Sequence, residues 1–135
     1  MRRFVVPLVL VVAVAFPGGA AAAWRLLASG SGSAKAKTLG SGNLPTASVS
    51  GRKVTLAWTA STYTSGGTVA AYVVKRYQAV TGVAQTVGAA CSGTISALTC
   101  TENNVPTGSW RYTVTPAAGN WRGTESPKTG AVTVV

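Results

Sequence analysis

The stretch Val105-Pro106-Thr107-Gly108-Ser109-Trp110-Arg111-Tyr112-Thr113-Val114-Thr115 decides the fold. Pro106 and Gly108 build a turn, and strict alternation follows it. Trp110, Tyr112 and Val114 fall on one side; Arg111, Thr113 and Thr115 fall on the other. Successive side chains of a strand point to opposite faces, so large apolar residues at period two mark a half-buried β-strand. The first set is predicted to face a core. The second is predicted to face outward, where a partner can reach it.

Short strands punctuated by turn residues extend from this run in both directions. Pro45 precedes a first strand at Ala47–Ser50. Gly51-Arg52 turns into Lys53–Trp58, with Val54, Leu56 and Trp58 on one face. Ser65-Gly66-Gly67 marks a turn before Val69–Tyr77, whose Tyr72 and Val74 point inward. Thr81-Gly82 turns into Val83–Val87, and Ile95–Thr101 precedes the deciding strand at Ser109–Thr115. Gly119-Asn120 lies near the tip of the last connection, and Ala131–Val135 ends the chain. Seven such strands predict an all-β, two-sheet sandwich.

These residues resemble the fibronectin type III domain, an immunoglobulin-like sandwich. The resemblance covers 44–135. It rests on Pro45 before the first strand, Trp58 at the end of the second, and Ala71-Tyr72-Val73-Val74 in the third. It rests also on the deciding run, which is similar to the family's Leu-x-Pro-Gly-Thr-x-Tyr-x-Val, and on Glu125-Ser126-Pro127 before the last strand. The family's corner tyrosine, whose hydroxyl bonds the backbone upstream, aligns best with Trp110. Either Trp110 fills that slot without the hydroxyl bond, or the register differs and Tyr112 serves. Some family members bind integrins through Arg-Gly-Asp at the position of Arg122-Gly123-Thr124; Thr124 has no carboxylate, so that activity does not carry over. The whole chain also resembles small secreted proteins of high-GC Gram-positive bacteria.

Composition narrows the function by exclusion. The 135 residues carry 10% charged residues, against roughly 25% in an ordinary soluble domain. There is no Asp and no His, and the carboxylates are Glu102 and Glu125. Proton transfer near neutral pH usually needs His or a tuned carboxylate. A Ser-His-Asp triad cannot be assembled, nor can a His- or carboxylate-based metal site. Neither catalysis nor a cofactor is expected. A pair of glutamates could in principle hydrolyse a glycoside, but both are read as lying on or beside exposed turns. Glu102 is read as pairing with a nearby Arg, and Glu125 with Lys128.

The net charge of +10 favours polyanions such as anionic wall polymers or lipid head groups. The basic residues are scattered, and no nucleic-acid motif is present, so specific nucleic-acid binding is not expected. Met1-Arg2-Arg3 is a basic start, followed by the apolar run Leu8–Phe16, the breaker Pro17-Gly18-Gly19 and Ala20–Ala23. This is the pattern of a secretory signal peptide, with cleavage after Ala22 or Ala23. Phe4–Trp24 is also about 31 Å long as a helix, enough for a transmembrane anchor. Residues 1–23 therefore read as a signal peptide or membrane anchor beginning with a hydrophobic helix. Residues 24–43 read as a flexible Gly/Ser linker. Either way, the domain is expected to be secreted or held at the outer face of the cell membrane.

In that setting Cys91 and Cys100 predict a disulfide. Trp58 and Trp110 are assigned to the core, and Trp121 to an exposed tip where it could stack on a sugar or enter a partner. Trp121, Arg122, Arg111 and Lys75 are the candidate contact residues. The expected function is a non-catalytic cell-surface module for protein interaction or structural support. The alternative is a carbohydrate or wall-polymer binding module associated with polysaccharide-degrading systems.

Overall fold

The computed structural model describes residues 37–135. The predicted leader, the N-terminal hydrophobic helix and most of the linker lie outside them. The strands are β1 (Thr46–Ser50), β2 (Lys53–Ala57), β3 (Ala71–Gln78), β4 (Ala84–Gln85), β5 (Thr99–Glu102), β6 (Gly108–Ala118), β7 (Trp121–Arg122) and β8 (Val132–Val134). They form two sheets. One has the order β1-β2-β5; the other runs β4-β3-β6-β7, with β8 also paired to β6. Every pairing between these strands is antiparallel.

Alternation builds the core as predicted. Val54 and Leu56 of β2, Tyr72 and Val74 of β3, and Trp110, Tyr112 and Val114 of β6 are buried, with Trp58, Val105 and Val134 completing the layer. Removing two large apolar faces from water is the main stabilising term of such a sandwich. Gly51, at φ 56°, turns the β1–β2 hairpin, and Gly119, at φ 55°, turns the β6–β7 hairpin. Those dihedrals favour glycine because a Cβ would crowd the backbone.

Eight strands form where seven were expected, because the last connection contributes a short strand of its own, β7, ahead of β8 at the expected final strand. Back along β6 from Ala117 to Trp110 is seven residues, while the partner chain from Arg122 to Val132 takes ten. The surplus bulges outward between β7 and β8. Across the bulge Ser126 and Thr129 keep β6 bonded. Val114 N donates to Ser126 Oγ (2.9 Å) and Tyr112 N to Thr129 Oγ1 (3.0 Å), replacing backbone carbonyls. The amides of Ser126 and Thr129 return bonds to Val114 O and Tyr112 O. Strand β6 also continues through Pro116 to Ala118, beyond the expected end. The missing N–H of Pro116 does not deprive its partner Tyr72, whose N–H and C=O both bond Ile95 on the other side. Ile95, expected within a strand, makes only this isolated bridge, and β5 starts at Thr99.

Ordered pairing begins ahead of Leu44, the predicted domain boundary. Leu39 bridges Tyr63, and Ser41 bridges Thr124. Gly40 N bonds Thr62 O and Gly42 N bonds Thr124 O. A Cβ on Gly42 would stand 2.0 Å from Val114 O, and one on Gly40 2.5 Å from Thr62 O. These glycines permit close backbone contact, so residues 37–43 belong to the folded unit.

Candidate functional site

Two surfaces and one buried cluster hold the residues that chemistry could use. The cluster comes first because it fixes the strands that carry both surfaces. Arg76 follows Tyr72 and Val74 at the same phase of β3 and therefore points into the core, where it is 6% exposed. It forms an ion pair with Glu102 of β5, itself 1% exposed. Glu102 Oε1 also accepts Gly88 N–H (2.7 Å), and Oε2 accepts the Tyr112 hydroxyl (2.9 Å). Arg76 donates a further bond to Thr86 O (2.8 Å) and lies 4.6 Å from the centre of the Trp110 ring. Its Nε has no partner. Burial, and then the bond to Glu102, push the Tyr112 hydroxyl well above its ordinary value.

Glu102 is thus not on an exposed turn. Its predicted arginine partner is Arg76, and the pair ties the two sheets together. A buried pair of this kind holds only when its remaining donors and acceptors are also engaged.

The corner position belongs to Trp110. Its indole Nε1–H donates to Pro106 O (2.8 Å), four residues upstream. An upstream side chain-to-backbone bond is therefore present, with an indole in place of a phenol. Tyr112 sends its hydroxyl into the buried cluster instead.

The outer face of β3 and β6 carries three of the four predicted contact residues. Lys75 pairs with Thr113, Tyr77 with Arg111, and Ala117 with Arg122, so Lys75, Arg111 and Arg122 share one face. Thr113 and Thr115, expected to be open there, are buried. The bulged segment explains why, because it lays Glu125 over them. Glu125 accepts Thr113 Oγ1 (2.6 Å), the Tyr77 hydroxyl and Lys75 Nζ (3.1 Å). Burial pushes the Glu125 carboxyl up, but these hydrogen bonds and the lysine charge hold it below its ordinary value. The bond that Lys75 donates to Glu125 raises Lys75 in turn. Lys128, expected to pair with Glu125, instead places its ammonium 4.2 Å from the centre of the Tyr77 ring.

Trp121 lies on the opposite side. Its β6 partner Ala118 is on the core-facing phase, but this end of the hairpin overruns the core. The indole is 72% exposed. With Leu39, Tyr63, Ala118 and Lys37 it lines an open groove of about 370 Å³. Arg122 donates to the carbonyls of Gly119 (2.7 Å) and Trp121 (3.0 Å), bracing the turn beneath the indole. Tyr63, Leu39 and Lys37 were not singled out from sequence. The signal available was Tyr63 beside a glycine-rich turn, which does not reveal what folds against it.

Cys91, which ends a short 3-10 helix at Ala89–Cys91, is bonded to Cys100 of β5, with Cα atoms 5.5 Å apart. Among the described residues no group of three or more His, Cys, Asp or Glu side chains could hold a metal ion. Among them, too, no helix is long and apolar enough to cross a membrane; the anchor expected at residues 4–24 lies outside them.

The architecture defines a class, the fibronectin type III-like sandwich, and solved structures bear on that class alone. A structure of titin kinase and its flanking domains matches with TM-score 0.60 and 19% identity over 73% of this chain and 18% of that one. Domains A168–A170 of titin match with TM-score 0.54 and 17% identity, over 73% of this chain and 32% of theirs. A fibronectin type III domain from the human KIAA0970 protein matches with TM-score 0.53 and 18% identity, over 73% and 72%. The chain thus spans less than a third of each titin structure. No family model and no curated protein matches the sequence.

Proposed function

We propose that this chain is an exported, non-catalytic interaction module, released or held at the outer face of the cell membrane, whose contact end is the β6–β7 hairpin. The observation that carries the reading is Trp121, 72% exposed above a groove shared with Tyr63. An exposed tryptophan on a braced turn is the residue type that most often anchors an interface. Three features agree. Sandwiches of this class commonly serve protein interaction. Glu102 and Glu125 are both occupied in holding strands together. The Cys91–Cys100 bond suits an oxidising compartment.

Binding to an anionic wall polymer is the second reading, and charge favours it. Among the described residues Lys37, Arg52, Lys53, Lys75, Arg111, Arg122 and Lys128 stand at the surface, while Glu102 is buried. External protease on intact cells is expected to digest the domain. Protein protected until the cells are broken would overturn export. Retention on the surface fraction of the producing cells is expected to fall in Trp121→Ala, with no change in melting temperature. Full retention by that variant would move the contact surface elsewhere.

A further inference from the structure

The groove at the β6–β7 end has an apolar floor and a donor rim. Leu39, Ala118 and the rings of Tyr63 and Trp121 make the floor. Lys37 stands at the edge, its ammonium 5.4 Å from the centre of the Tyr63 ring. The volume of about 370 Å³ lies within the roughly 300–1,000 Å³ of small-ligand sites. An indole N–H and an ammonium only donate, and a phenol can donate. No carboxylate lines the groove. Its occupant should therefore be rich in acceptors, negatively charged and apolar on one flat face.

The rest of the described surface agrees in sign. Its one solvent-reachable side-chain carboxylate, the half-buried Glu125, is already held by Lys75, Tyr77 and Thr113. The shape distinguishes between anions. A peptide anchor side chain binds best in a deep, fully desolvated pocket. This groove is open, and the largely exposed indole of Trp121 lines it. A sugar ring offers one face of C–H groups to such an indole and a rim of oxygens to the donors. A carboxylate substituent on the ring supplies the charge.

We propose that the Trp121–Tyr63 groove binds an acidic sugar unit of an anionic polysaccharide, the ring lying on Trp121 and the carboxylate facing Lys37. This rests on the reading of the hairpin end as the contact surface, and it names the ligand class.

The test titrates oligogalacturonate into the full chain, followed by tryptophan fluorescence and calorimetry. Saturable binding is expected. Trp121→Ala weakens it by about tenfold or more, the size of a hot-spot truncation. Lys37→Gln weakens it and flattens its salt dependence. Both positions are exposed, so neither variant shifts the melting temperature. The methyl-esterified oligomer, with the same rings and no charge, binds wild type and Lys37→Gln equally. Absence of oligogalacturonate binding overturns the proposal, as does equal binding by Trp121→Ala. A polyglutamate peptide binding as tightly, with the same dependence on Trp121, reassigns the groove to acidic peptides and also overturns it. Cell-surface retention that needs Trp121 without any oligogalacturonate binding would sink the sugar alone and leave the contact surface standing.

Discussion

Replacing Glu102 with Gln changes no shape and removes one buried charge. In the native core Glu102 takes Arg76, Gly88 N–H and the Tyr112 hydroxyl, and is 1% exposed. Glutamine keeps one oxygen, which can still serve Arg76 and Gly88. Its amide then faces Tyr112, whose hydroxyl can turn to accept. The hydrogen bonds thus survive in number, and the loss is the countercharge of Arg76. Stranding one member of a buried ion pair costs about 3–5 kcal/mol. A domain of this size has a total stability of about 5–15 kcal/mol, and each kcal/mol is worth about 4–8 °C. Glu102→Gln is therefore expected to lower the melting temperature by at least about 12 °C and to shift the urea midpoint accordingly. The Arg76→Met, Glu102→Gln double variant removes the stranded cation and keeps the glutamine oxygen for Gly88 N–H and the glutamine amide for the Tyr112 hydroxyl. It should be more stable than Glu102→Gln alone, less what Arg76 gains over the Trp110 ring, about 0.5–2 kcal/mol. A Glu102→Gln cost under about 1 kcal/mol, or strictly additive losses in the double variant, would refute the buried pair.

Cys100→Ser opens the loop closed by Cys91 and should cost roughly 2–3 kcal/mol, read as a lower melting temperature under non-reducing conditions; an unchanged value would remove its role as a staple. Trp110→Phe keeps one aromatic ring but drops the bond to Pro106 O and empties the space of the five-membered ring, for about 1 kcal/mol or more in urea unfolding; a neutral result would empty the corner of its bond. The raised Tyr112 hydroxyl stays protonated in the fold while unfolded tyrosine ionises, so its contribution is full below about pH 10 and is lost as pH rises beyond. Tyr112→Phe should flatten that alkaline decline, and equal declines would contradict the assignment. On the acid side, Glu125, held below its ordinary 4.5, contributes above that pH and loses its contribution as pH falls through its lowered value; Glu125→Gln should lessen that acid loss.

The sequence carried those features that depend on one strand at a time. Alternation placed Trp110, Tyr112 and Val114 inward, as it did Val54, Leu56, Tyr72 and Val74. Arg76 was legible by the same rule, since it keeps the phase of Tyr72 and Val74. Its charge argued against burial, and only the meeting of β3, β5 and β6 supplies Glu102 as its partner. Thr113 and Thr115 kept their predicted face but are buried by a segment ten or more residues away, which no local period reveals. Gly40 and Gly42 illustrate an ambiguity of composition. Glycine serves a loose linker and a tight backbone contact equally, and here the carbonyls of Thr62 and Val114 decide. The groove was legible only through Trp121, because Leu39 and Tyr63 come from distant segments.

Hydroxyl-radical footprinting of the protein bound to intact producing cells, read residue by residue by mass spectrometry, tests the placement of the contact surface directly. Trp121, Tyr63 and Leu39 should become protected on binding. Val80, 86% exposed at the hairpin on the far end of β3 and β6, should be labelled equally in both states. Unchanged labelling of Trp121, with protection at Val80 or along β1 and β2, would contradict it.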